Sequence, residues 1–112
     1  MLNSDQTKFL YLLAYMYLQQ RKYDQALHLF RILRLHTSKN LKIALALSYC
    51  LLKARRLEEA LKVLKTIEEK ALSNDQRTAF YYIYSKVLWD LKQLDASREM
   101  LHNYLRNRKL NA

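Results

Sequence analysis

The chain has 112 residues, of which 51% are hydrophobic, with 20 basic side chains against 10 acidic ones, a net charge of +10, and no glycine or proline. Without those two residues, tight hairpins and glycine-rich phosphate loops are excluded, and the abundant Leu, Ala, Lys, Arg, Gln and Glu point to helix nearly throughout. The length suits one domain, residues 1–112, around one continuous core.

Apolar periodicity predicts helices near 4–20, 23–36, 39–54, 57–71, 74–91 and 94–107. The first holds the run "FLYLLAYMYL", which is too short to span a bilayer, and no basic segment leads into a long apolar stretch, so a soluble protein without membrane insertion is expected. The one cysteine, Cys50, has no partner for an intramolecular disulfide, which favours a reducing, cytoplasmic setting. Ser4, Ser38 and Asn74 are the expected N-caps, and Asp24, Glu58, Glu59 and Asp95 fall in first turns, where the helix dipole favours acid. Arg21, Lys22, Arg55, Arg56 and Lys92 fall at the ends of the preceding helices, where cations are favoured.

These helices form a repeat. The segments "KYDQALHLFRIL", "RLEEALKVLKTI" and "QLDASREMLHNY" share a large residue, an acidic one, a small one and then large residues, with Ala26, Ala60 and Ser97 at the small position. Ala26 and Ala60 are 34 residues apart, as are Ala14 and Ser48 upstream of them, while Ser85 and Ser97 stand 37 residues beyond Ser48 and Ala60. About three residues are therefore inserted before the third unit, in the polar stretch around Leu72, Ser73, Asn74 and Asp75, where a loop tolerates them at little entropic cost. A helix pair cannot bury its apolar stripe alone, so such units stack, and small side chains at each crossing let the two helices approach.

Leu13, Ala14, Tyr17, Tyr23, Ala26 and Phe30 resemble the tetratricopeptide signature. Leu47, Ser48, Leu51, Leu57, Ala60 and Leu64 repeat it, and Tyr84, Ser85, Leu88, Leu94, Ser97 and Leu101 offer it a third time. The pattern departs from that family in lacking the glycine of the first helix, the turn glycine and the terminal proline. The resemblance implies an all-α solenoid of three tetratricopeptide-like helix pairs, about six antiparallel helices, with repeats near 7–38, 41–72 and 78–109.

Enzymatic chemistry has little footing. His28, His36 and His102 lack Cys or carboxylate neighbours at metal-ligand spacing, so neither a metal nor a cofactor is expected. Cys50 lies between Tyr49 and Leu51 in an apolar helix and reads as a structural thiol. The adjacent pairs Glu58/Glu59 and Glu68/Glu69 diverge by about 100° on a helix and read as solvated faces.

Tetratricopeptide solenoids line their concave face with the first helix of every pair. The resemblance assigns to that face Lys8, Tyr11, Tyr15, Leu18, Lys42, Leu45, Tyr49, Leu52, Lys53, Tyr82, Lys86 and Trp89. The set follows helical spacing and makes an apolar, aromatic groove with a cationic rim, a surface suited to a peptide or helix of another protein. Tyr15, Tyr49 and Trp89 are its expected anchors. Tyr15 and Tyr49 stand where carboxylate-clamp members carry asparagine, which argues against a clamp for acidic tails.

The length, the early start in "QTKFLYLLAYMYLQ" and the close "LDASREMLHNYL" resemble the small tetratricopeptide chaperones of type III secretion systems, nearest the YscY (SctY) group. That likeness implies a cytoplasmic one-to-one heterodimer with a small secreted YscX-like (SctX-like) component, shielded and delivered to the export apparatus. A YscG-like needle-subunit chaperone is the near alternative, differing in cargo. A basic helical-repeat RNA-binding protein is the alternative of another class, prompted by the charge and by "KARR" and "RNRK". Lys8, Lys42 and Ala79 supply no recurrent polar base code at matching places, so nucleic acid is not the expected partner.

Overall fold

A computed structural model describes residues 2–110. It is all-helical among the described residues: α1 (Ser4–Gln19), α2 (Tyr23–His36), α3 (Leu41–Lys53), α4 (Leu57–Thr66), a short 3₁₀ turn (Glu69–Ala71), α5 (Asn74–Asp90) and α6 (Leu94–Leu110). Consecutive helices pack in pairs, α1 on α2, α3 on α4 and α5 on α6, and the pairs stack through α2 on α3, α4 on α5 and α3 on α5. The result is an elongated body of 42 × 28 × 24 Å.

The six small residues that set the register are all buried. Ala14, Ala26, Ser48 and Ala60 are fully enclosed, and Ser85 and Ser97 nearly so. The serines need local hydrogen bonds to enter an apolar crossing. Ser48 Oγ donates to the Leu45 carbonyl at 2.8 Å, Ser85 Oγ to that of Tyr82 at 2.8 Å, and Ser97 Oγ crosses to that of Ser85 at 2.7 Å.

The N-caps lie beside the expected ones. Asn3, Asn40 and Ser73 cap α1, α3 and α5, in place of Ser4, Ser38 and Asn74. A capping box needs Gln or Glu three residues beyond the cap so that two backbone donors are satisfied reciprocally. Asn3 has Gln6 and Ser73 has Gln76 at that spacing, whereas Ser4 and Asn74 would face Thr7 and Arg77. For α3, the Asn40 side chain accepts from the Ile43 amide at 3.1 Å.

The helix ends show how the chain manages without turn glycines. Arg21, Arg55 and Lys92 all adopt left-handed backbone, with φ of 59°, 62° and 67°. Each closes a Schellman motif. The Arg21 amide donates to the Leu18 carbonyl and that of Lys22 to the Tyr17 carbonyl, with the same pattern at Arg55/Arg56 and Lys92/Gln93. The basic residues placed by sequence at helix ends thus occupy the turns themselves.

The expected fourth helix, 57–71, stops at Thr66. Ile67 leaves the helix in extended conformation, the 3₁₀ turn follows, and Ile67 and Leu72 both drop into the core. The inserted residues are therefore a packed connection rather than a free polar loop. Two of the acids read as solvated are engaged: Glu69 accepts from the Tyr81 hydroxyl, and Glu59 pairs with Arg31 of α2 at 2.5 Å.

Candidate partner-binding surface

The twelve residues assigned to the groove separate into three groups. Leu45 and Leu52, 7% and 4% exposed, belong to the core and offer a partner almost no surface. Their helix, α3, has α2, α4 and α5 against it, and burial runs unbroken from Ile43 to Ser48. The tetratricopeptide resemblance placed them on an open face; α5 of the third helix pair packs against α3. Tyr11, Tyr15, Leu18 and Tyr49 are half-buried and pack on the core. The Tyr15 ring stands edge-on to Phe30 at 5.1 Å and lies 4.7 Å from Tyr11, so this expected anchor also holds α1 to α2. Burial first, and then the neighbouring Tyr11 hydroxyl, keep its phenol protonated well above the ordinary range.

Lys8, Lys42, Lys53, Tyr82, Lys86 and Trp89 remain exposed. The structure brings several of these together. Lys53, Tyr82 and Lys86 line a pocket of about 200 Å³ with the edge of Leu52, Arg55 and Asp90. Lys53 Nζ sits 5.6 Å from the centroid of the Tyr49 ring, which is itself edge-on to Tyr23 at 6.1 Å. Lys8 and Lys42 are not among the residues that line this pocket.

Arg55 and Asp90 were not among the residues read from sequence as part of the groove, although they define its charge. Asp90 accepts from Arg55 at 2.6 Å and from Lys86 at 3.3 Å, which clips the turn after α3 to the end of α5. Partial burial alone would raise the Asp90 carboxyl, but the hydrogen bonds from Arg55 and Lys86 outweigh it and hold it below the usual carboxylate range. Stability from a depressed carboxyl is fully present above its unfolded-state value and is lost as pH falls through the lower folded value. Asp90→Asn is expected to cost about 0.5–1 kcal/mol at neutral pH, with the gap to the parent closing below about pH 4 in urea unfolding followed by circular dichroism. A gap that persisted at acid pH would show that the ion pair does not supply it.

Cys50 is fully buried, and burial pushes its thiol up to about 12, so it has neither the access nor the thiolate of a nucleophile. No group of three or more His, Cys, Asp or Glu residues that could hold a metal occurs among the described residues. No helix among them is long and apolar enough to cross a membrane.

Two apolar stripes escaped the sequence reading. Phe9, Leu12 and Met16 form an exposed row on α1, at i, i+3 and i+7. Their register mates Ile43, Ala46 and Cys50 in α3, and Phe80, Ile83 and Val87 in α5, are all buried. The signal was present in the sequence: Leu10 to Leu18 is apolar all round, the mark of a helix covered on more than one side. At the other end, α6 exposes Leu94, Leu101 and Leu105. Of the α6 leucines, Leu101 stands in the register of the buried Phe30 and Leu64.

Residues 1–67 match the family described as Anaphase-promoting complex, cyclosome, subunit 3, a family of tetratricopeptide-type repeats. The match covers more than half of the chain. The chain belongs to this family. The matched stretch runs from the N-terminus to the residue after α4, and so takes in the first two helix pairs and stops where the packed insertion begins. Neither a curated protein nor a solved structure matches the chain. The family's repeats form a protein-interaction scaffold rather than a catalytic one, in keeping with a surface of aromatic and cationic side chains and a buried, inert cysteine.

Proposed function

We propose that this protein is a chaperone-type binding module that holds a small secreted component of a type III secretion system in the cytoplasm, as a one-to-one complex, and presents it for export. The observation that carries the binding surface is the exposed pair Tyr82 and Trp89, 46% and 50% open, of which Tyr82 lines the pocket bounded by Lys53, Arg55 and Lys86. They lie on one face of α5, seven residues from each other, and large aromatics left open on a rigid helix are the side chains that most often dominate protein interfaces. The basic pocket suits a partner segment with an acidic residue next to its apolar anchor. The choice of cargo rests on the likeness to the YscY group in length and in the stretches "QTKFLYLLAYMYLQ" and "LDASREMLHNYL", and the family's name, that of a subunit of a complex, fits a module that works in assembly with other proteins.

Co-expression with a YscX-like protein tests the reading. A stable equimolar complex is expected in size-exclusion chromatography with light scattering. Trp89→Ala should weaken it by about 2 kcal/mol, roughly thirtyfold, with unchanged helicity, and Tyr82→Ala, whose ring also packs on Tyr104 at 5.8 Å, should weaken it as well. Tyr15→Ala is not a clean test, because it also removes packing on Phe30. A complex that forms equally well with both α5 variants, or no complex with any such secreted component, overturns the proposal.

A further inference from the structure

The outer face of α6 differs from its equivalents in the inner units. Leu101 stands in the register of Phe30 and Leu64, both 0% exposed, yet it is 45% open. Leu105 is a further departure: the same position carries Arg34 in the first unit and Glu68 in the second, whereas here a leucine is 50% exposed. A repeat face that meets only water needs to be polar. This one adds apolar surface instead.

Charge says what covers it. From His102 to Lys109 the chain holds Arg106, Arg108 and Lys109 and no acid, and His102, Leu105, Arg106, Arg108 and Lys109 line one depression of about 610 Å³. Arg106 bonds Asn103 at 2.8 Å and Arg108 lies over the Tyr104 ring at 5.6 Å, so both guanidinium groups have partners within α6. The only acids on α6, Asp95 and Glu99, are near its start. A second copy of this chain, itself at +10, would meet like charge here. Nucleic acid would need open aromatic faces for stacking, but the exposed apolar residues of this face are leucines and Tyr104 is packed on Tyr82 at 5.8 Å. The α1 stripe has no comparable charged border.

We infer that the α6 face is a second docking site, beside the groove, for an acidic amphipathic helix of a partner protein. At 17 residues α6 offers about 25 Å of length, so an occupant of four to five turns matches it. The helix lays a leucine row on Leu101 and Leu105 and sets glutamates against Arg106, Arg108 and Lys109.

A fluorescein-labelled synthetic helix of about 17 residues, with a Leu row and Glu borders, is the probe, beside a matched peptide with Lys borders. Anisotropy titration of the full chain is expected to show the Glu peptide binding at least about tenfold tighter than the Lys peptide, and losing affinity as salt rises. The L101A/L105A variant should bind the Glu peptide about tenfold more weakly at unchanged helicity, since both side chains are half-open. R106E/R108E should reverse the preference toward the Lys peptide. Trp89→Ala should bind the probe like the parent. The inference fails if L101A/L105A binds like the parent, if the two peptides bind equally, or if the loss follows Trp89→Ala, which would place the peptide in the groove. It also fails if single-stranded oligouridylate outcompetes the Glu peptide, or if sedimentation shows a dimer of this chain that L101A/L105A dissolves.

Discussion

Leu64→Ala is expected to destabilise the protein by about 3 kcal/mol, whereas Leu101→Ala, the same substitution at the equivalent position of the last helix pair, should cost under about 1 kcal/mol. Leu64 of α4 is completely enclosed, so truncation removes buried methyl groups and leaves a cavity that the surrounding helices only partly fill. Leu101 already meets solvent over nearly half its surface, so most of its transfer free energy is absent in the folded state. Chemical denaturation of both variants reads the difference directly. Equal losses would mean that the end of the stack is covered in solution and that the α6 face is not open to a partner.

Substituting glycine at the left-handed turn residues should raise stability instead. A side chain with a Cβ in this conformation costs on the order of 1 kcal/mol, and glycine relieves most of that while making the unfolded chain somewhat more flexible. Arg21→Gly and Lys92→Gly are each expected to gain about 0.5–1 kcal/mol, since neither side chain makes an ion pair among the described residues. The two turns are in different helix pairs, so the gains should add to about 1–2 kcal/mol in the double variant. Arg55→Gly should gain less, because it also removes the bond to Asp90. A double variant no more stable than the parent in thermal and urea unfolding would refute the account of these turns.

The two expectations rest on different parts of the molecule, and they mark how far sequence reasoning reached. The positions of Ala14, Ala26, Ser48, Ala60, Ser85 and Ser97 were legible because a small residue recurring at a fixed interval has one economical physical meaning, a close helix crossing. Helix starts were legible only to within two residues, since Ser4 and Asn3 are equally good caps until one asks which of them faces a glutamine three residues on. The groove was harder. Tyr82 and Trp89 are open and Leu45 and Leu52 are not, although all four fall at equivalent-looking positions on first helices, because openness depends on whether another helix pair stacks against that side.

By itself, then, the sequence determined a repeat of helix pairs, its register, and the inertness of a lone cysteine in an apolar helix. Those properties follow from local periodicity and composition, which act within a turn or two of helix. Only the tertiary structure decided which apolar side chains are core and which are surface. Among the described residues the middle helix pair has neighbours on both sides while α1 and α6 each lack one, so Cys50 and Leu64 are sealed where Met16 and Leu101, their register mates, are exposed.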